Sequence, residues 1–322
     1  MKKLIFKSAL LLFLVGTVLY AGGAAYRGTN TYKNLEHSDD TERYHALPDT
    51  VDIAVFGSSH GRDSFQYYPE GKTFFNFSIT SQTPEYSLRV MREYRRHIRS
   101  GALVIIVISP MYPFFQQRES DFLAQQSRYY RILSPGNIID VDMPRWLCAR
   151  FSPLLTEDLP QIISAFSQNV ELSPTSDALS GYRQFSPENL PAETNRIKHS
   201  HIAEDLTTFP AESPSMMPAY REMLLLAQEQ NWNAVLVTPP YLEEYLSCYY
   251  DFSEQYFDVF RKTITAVSEE FNVPFWDYSH NSAYTARYDL FQDIDHLNLA
   301  GAELFDRQFF SDIQSEAYFW SN

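Results

Sequence analysis

After residue 50 the chain is punctuated by five short apolar runs: VDIAVF (Val51 to Phe56), FFNFSI (Phe74 to Ile79), ALVIIVIS (Ala102 to Ser109), NAVLVT (Asn233 to Thr238) and VPFWDY (Val273 to Tyr278). Runs that are apolar almost throughout, instead of alternating with polar residues, predict strands of a parallel sheet covered on both faces. Helix-length segments lie between them. TPEYSLRVMREYRRHIRS (Thr83 to Ser100) opens with a capping threonine and a proline, then carries apolar residues at helical spacing. SMMPAYREMLLLAQEQN (Ser215 to Asn231) and SEQYFDVFRKTITAVSEEFN (Ser253 to Asn272) read the same way. Strand and helix alternating in this order predict an open α/β sheet flanked by helices. Right-handed crossovers then gather the loops at the strands' C-terminal ends on one rim, where such folds bind ligands.

Two segments break the rhythm. Residues 27–50 are polar and lack periodicity, which predicts a linker. Residues 111–214 are rich in aromatic residues, proline and glutamine, with patchy helical signals such as LLTEDLPQIISAFSQNV, and read as a mostly helical insertion forming a cap beside the rim. Ahead of both, MKKLIFK precedes SALLLFLVGTVLYAGGAAY, a cationic flank and then about eighteen mostly apolar residues, enough to cross a hydrocarbon layer of roughly 30 Å. Residues 1–26 are thereby expected to be a signal anchor with Lys2, Lys3 and Lys7 in the cytoplasm. The small residues from Ala21 to Ala25 leave a second reading, a cleaved leader. In either case residues 51–322 form one domain outside the cytoplasm.

Composition narrows the partners. A formal net charge of -14 and a pI near 5.0, with no basic stripe, repel phosphodiester backbones and argue against nucleic acid. The two cysteines, Cys148 and Cys248, are too few for a disulfide scaffold and too far apart in sequence for a structural zinc site, though outside the cytoplasm they could pair. Neither a metal nor a cofactor is expected.

The first strand ends in Gly57-Ser58-Ser59-His60, on the expected ligand rim. A tight exit favours glycine, and serines there also serve as turn residues or helix N-caps. Near the C-terminus, DLFQDIDHLNLAGAELF places Asp293 and His296 three residues apart, close enough for carboxylate and imidazole to meet. A histidine so held can take a proton from a serine hydroxyl while the aspartate stabilises the imidazolium. Asp293 could equally cap the helix that follows. Asp295, adjacent to the histidine, is expected to point elsewhere. Arg62 and Asp63 are expected on a helix surface, and His60 and Tyr241 are candidates for contact with substrate.

Taken together, G-x-S after the first strand (Gly57-Ser58-Ser59), FFNFSITSQTPEY in the second block, S-P after the third strand (Ser109-Pro110) and D-x-x-H followed by H-L-N-x-x-G-A (His296 to Ala302) resemble the SGNH/GDSL hydrolases. They are most similar to the membrane-anchored envelope branch, which includes the D-alanine transfer protein of teichoic acid synthesis and polysaccharide O-acetyl transfer proteins. The resemblance covers roughly residues 51–110 and 233–310. It implies a three-layer SGNH-like fold, Ser59 as nucleophile, His296 as base, Asp293 as orienting acid, and backbone N–H groups of Ser59 and Ser81 as oxyanion donors. It also implies an acyl donor and an envelope glycopolymer as partners, with a membrane-bound acyltransferase as a possible third. Departures are Ser78 and Ser81 where that family has glycines, and the absence of the third-block asparagine. The expected activity is that of an extracytoplasmic serine esterase or O-acyltransferase. The alternative is a non-catalytic assembly or polymer-binding protein on the same fold. A phosphodiesterase is disfavoured because the rim lacks paired metal-binding carboxylates and histidines.

Overall fold

The apolar runs pair into a single sheet in the computed structural model, which describes residues 1–114, 119–175, 181–202 and 211–315. Strands β1 (Val51–Phe56), β2 (Phe74–Asn76), β3 (Ile98–Val107), β4 (Asn233–Thr238) and β5 (Phe275–Asp277) are all parallel, in the order β2-β1-β3-β4-β5. β1 and β3 are apolar because both faces are covered: Ile53, Val55, Ile105 and Ile106 are fully buried or nearly so. β2 and β5, at the sheet edges, are three residues each, half the length their apolar runs suggest.

This strand order reverses between β1 and β3, and at such a switch point the loops leaving adjacent strands splay apart and open a crevice beyond their carboxyl ends. Gly57-Ser58-Ser59 and Ser109-Pro110 leave the sheet there.

The chain forms two compact units. The larger takes residues 47–118 and 177–322 and contains the sheet. Twelve α-helices occur among the described residues, numbered here in chain order. In the larger unit α3 (Ser59–Ser64) follows β1, and α4 (Pro84–Tyr94) lies between β2 and β3, with Thr83 accepting from the Tyr86 N–H as its cap. α4 ends earlier than its periodicity suggests because β3 begins at Ile98, where Val51 claims the pairing. Later come α8 (Leu190–Ser200), α9 (Met216–Glu229), α10 (Glu243–Phe252), α11 (Tyr256–Phe271) and α12 (Leu299–Ser315). α4 and α9 pack together, as do α3 and α12.

The smaller unit joins residues 1–46 to 119–176. It holds α1 (Lys2–Arg27), α2 (Asn30–Ser38), α5 (Glu119–Ile132), α6 (Met143–Phe151) and α7 (Leu159–Ser167). α1 is one helix of 26 residues, long and apolar enough to cross a membrane. Two expectations change here. Residues 27–50 are not a featureless linker but contain α2, capped by Thr29, and a 3₁₀ turn over Glu42–Ala46. The insertion expected over 111–214 is not a single cap: residues 119–176 fold with the N-terminal helices, whereas residues 111–118 and the part after 176 belong with the sheet. Cys148 and Cys248 are both free thiols.

Candidate active site

Ser59 is the first residue of α3, and the turn before it is shaped by packing more than by unusual dihedrals. Gly57 does not adopt positive φ, contrary to the expectation for a tight exit; a Cβ there would lie 2.9 Å from the Val107 Cβ. Ser58 caps α3 through a contact with the His60 N–H, and its buried hydroxyl pairs with the Ser109 Oγ at 3.0 Å. Asn76 locks α3 to the sheet by donating from Nδ2 to the Gly61 and Phe65 carbonyls while its Oδ1 accepts from the Ser78 N–H. Ser59 itself is half-buried.

The loop carrying Asp293 and His296 comes in from the other end of the chain. An antiparallel bridge between Phe291 and Leu297 closes it, and the Gln292 N–H donates to the His296 carbonyl. Asn298 ties its base down: its N–H donates to Leu290 O, its Nδ2 to the carbonyls of Arg183 and Asp289, and its Oδ1 accepts from the Gly301 N–H in the first turn of α12. Within the loop the Asp293 Oδ1 accepts from the backbone N–H groups of Asp295 and His296. That Asx turn aims both oxygens at the ring.

His296 Nε2 lies 2.8 Å from Ser59 Oγ, and its Nδ1 lies 2.9 Å from Asp293 Oδ2 and 3.0 Å from Oδ1. The bonding pattern assigns the proton to Nδ1, facing the carboxylate, and leaves the Nε2 lone pair to accept from the serine. Burial opposes charge on this ring, but the Asp293 and Asp295 carboxylates outweigh it and hold the imidazole well above its ordinary value.

A second, fully buried chain stands behind the first. His60 Nε2 donates to Asp295 Oδ2 at 3.1 Å, and its Nδ1 accepts from the Ser109 hydroxyl at 2.7 Å, with the Tyr241 hydroxyl 3.2 Å away. Burial pushes the His60 ring below its ordinary value, consistent with the neutral form this pattern needs. Burial also opposes ionisation of Asp295, yet His296, His60 and Arg196 hold its carboxyl well below the usual range. Arg196, on α8, pairs with Asp295 Oδ1 and comes within 3.8 Å of Asp293.

Several expectations are corrected by this packing. His60 and Tyr241 are buried behind the serine, at 3% and 0% exposure, so they do not line a substrate pocket. Arg62 and Asp63 are a buried ion pair, not surface charges, and Arg62 also bonds the Thr80 hydroxyl. Asp295 does not point away from His296: its Oδ1 lies 3.4 Å from Nδ1, more distant than Asp293 but part of the same cluster. Ser81 is exposed with φ +55°, a left-handed conformation that glycine adopts freely and that serine reaches at a cost. Its neighbours place this loop beside α3, since Gln82 Nε2 donates to the Gly57 carbonyl. Arg196 carried no signal, because it sits within the aperiodic stretch and meets its partners only through the tertiary fold.

His60, Asp295 and His296 could converge on a metal ion, as could Glu193, Asp293 and Asp295, each set having ligand atoms within 4.8 Å of one another. In both sets, however, the Arg196 guanidinium already occupies the Asp295 carboxylate. A cation there would have to displace it against like-charge repulsion.

No protein-family model matches the chain, and no curated protein matches its sequence.

Proposed function

We propose that this is a serine acyltransferase or esterase of the SGNH type, anchored by α1 and acting outside the cytoplasm on a cell-envelope polysaccharide or a teichoic-acid-like polymer. One observation carries the reading: the Ser59 hydroxyl, the His296 ring and the Asp293 carboxylate form a continuous hydrogen-bonded chain at the switch point of a parallel sheet. A serine hydroxyl within hydrogen-bond reach of a carboxylate-braced imidazole is set up as a nucleophile once that ring is neutral.

Ser59 Oγ attacks an acyl carbonyl while His296 Nε2 takes the serine proton. Asp293 holds Nδ1–H and stabilises the imidazolium. The oxyanion falls to the backbone N–H of Ser59, which as the first residue of α3 has no intrahelical acceptor, and to that of Ser81. Collapse breaks the bond to the leaving group, which receives the proton from His296, and leaves acyl-Ser59. A sugar or polyol hydroxyl, or water, then gives its proton to His296 and attacks the ester; the bond to Ser59 Oγ breaks, and His296 returns the proton to that oxygen. Ser109, at the position after the third strand, bonds His60 and is not offered as an oxyanion donor. With one donor fewer than the general hydrolases of the family it resembles, the site favours transfer from an activated donor over fast general hydrolysis.

Export is supported by the apolar helix with Lys2, Lys3 and Lys7 at its start, the flank that stays in the cytoplasm. Retention of that helix is supported by its packing: the Ser152 hydroxyl donates to the Leu19 carbonyl, and Tyr26 packs with Tyr32 and Ala165. Cleavage after residues 21–25 would remove Leu19, the partner of the Ser152 hydroxyl.

The test uses the full chain in detergent, treated with a fluorophosphonate probe and p-nitrophenyl acetate, beside Ser59→Ala. We expect one covalent adduct on Ser59 and turnover that falls by about 10³-fold or more in the variant. A folded wild type that takes no adduct, with Ser59→Ala still complementing in cells, overturns this reading in favour of a polymer-binding assembly protein.

A further inference from the structure

Apolar side chains left in water at high density mark a surface that something covers. Outside α1 and its N-cap Met1, twelve large hydrophobic residues are exposed among the described residues, and eight of them fall between Met143 and Leu172. They recur at every fourth position through Leu147, Phe151, Leu155, Leu159 and Ile163, each 44 to 66% exposed, and continue at Phe166. This stretch includes α6, a 3₁₀ turn over Pro153–Thr156, and α7.

The position of this stretch on α1 identifies the cover. The turn between α6 and α7 packs against α1 at Leu19, Gly22 and Gly23: Ser152 Oγ donates to the Leu19 carbonyl at 2.8 Å, and Leu154 lies against Gly22. Gly23 permits the contact, since a Cβ there would come within 2.8 Å of the Ser152 Cα and 3.0 Å of the Phe151 carbonyl oxygen. Small residues that let backbones approach are how chains dock on a membrane helix. At 1.5 Å per residue, Leu19 and Gly23 lie about 12 and 6 Å below Arg27, the last residue of α1. With Arg27 at the headgroups, the turn sits in the outermost acyl layer, and α6 and α7 at the depth of an interfacial amphipathic helix, roughly 5 to 10 Å.

The polar groups fit the same depth. Arg27 donates to the Arg150 carbonyl, and Arg150 lies over the Trp146 ring at 5.8 Å, an arginine and an indole at the level where membrane proteins concentrate both. Arg27, Arg131 and Arg150 also line a cavity of about 350 Å³ that opens beside them.

We infer that residues 143–167 are a second membrane element, a pair of interfacial helices whose apolar side chains enter the same leaflet that α1 leaves, with the lipid bilayer itself as their partner. α1 alone would leave the smaller unit free to pivot on its anchor; a platform lying in the interface fixes its height and tilt. The inference depends on α1 crossing the bilayer and is independent of any chemistry at Ser59.

The experiment uses the full chain with Cys148→Ser and Cys248→Ser, one chain per nanodisc of phosphatidylethanolamine and phosphatidylglycerol. An NBD label is placed in turn at Leu159→Cys, Ile163→Cys and, as the membrane reference, Leu11→Cys. Brominated lipid is expected to remove most of the emission at Leu159 and Ile163, as at Leu11, while aqueous iodide removes little. Iodide quenching at both platform positions without bromolipid quenching overturns the inference. So does protection from iodide that arises only in native membranes, which would assign the surface to another membrane protein. Two label positions guard against one substitution disturbing its helix, and one chain per disc excludes a second copy as the cover.

Discussion

Asp293 and Asp295 both touch His296, and replacing each by asparagine separates two jobs. Asp293→Asn keeps the Oδ1 that accepts from the backbone N–H groups of Asp295 and His296, so the loop should hold its shape. The new amide N–H₂ faces Nδ1, which must then act as acceptor, and the ring is forced to carry its proton on Nε2. In that tautomer it cannot take the Ser59 proton, and the acyl-transfer rate should fall on the order of 10⁴-fold. Stability should change by less than about 1 kcal/mol, because the carboxylate is 26% exposed and its backbone bonds survive. Asp295→Asn does the reverse. Its carboxylate is fully buried between the His60 Nε2–H and the Arg196 guanidinium, so one amide N–H₂ must face a donor. Loss of a charge-assisted bond together with an unsatisfied buried donor should cost about 3 kcal/mol. The rate at a temperature where the variant remains folded should drop far less than in Asp293→Asn. The assays are p-nitrophenyl acetate turnover and urea unfolding followed by tryptophan fluorescence. A larger rate loss in Asp295→Asn with unchanged stability would refute the reasoning and make Asp295 the orienting carboxylate.

The raised His296 value sets a pH dependence: the ring must be neutral to accept a proton, so kcat/KM should rise with pH along a limb centred above 6.5. In Asp295→Asn that limb should move to lower pH, since one carboxylate holding the proton is gone; a limb that stays in place would disconnect it from His296. By linkage, the ring's paired charge stabilises the fold below its unfolded value of 6.5 and that contribution is lost as pH rises through the higher folded value, which urea midpoints across this range would register. Gly301→Ala would set a Cβ 2.0 Å from the Leu290 carbonyl oxygen, a backbone atom that no rotamer change can move. We expect about 1 to 3 kcal/mol of destabilisation, a lower melting temperature, and a slower reaction because the displaced strand of loop carries His296; an unaltered melt would show that α12 shifts without strain.

Much of the sheet was legible from the chain because burial on both faces leaves a local trace. VDIAVF and NAVLVT are apolar almost throughout and become β1 and β4 residue for residue. The same signal overstated FFNFSI and VPFWDY, where apolar residues extend beyond the paired positions and Phe77, Ile79 and Val273 are buried by packing instead. Asn76 shows the limit inside a strand: it interrupts an apolar run, yet nothing local says that its amide will hold the carbonyls of α3.

At the site, Ser59, Asp293 and His296 were nominated by short patterns because each does its part near a strand end or within one turn, and three-residue spacing suffices to bring Asp293 to the ring. What the sequence alone did not decide is what stands behind them. The burial of His60 and Tyr241, the pairing of Asp295 with Arg196 about a hundred residues away, and the Ser58–Ser109 contact are set by sheet order, which brings the ends of β1 and β3 side by side. Amphipathic residues such as histidine and tyrosine suit either side of such a wall, so only the tertiary structure chose which face they took. The same holds for residues 143–167: their apolar content is plain in the chain, but their place beside Leu19 and Gly23 comes from packing on α1, a long-range contact with no local signature.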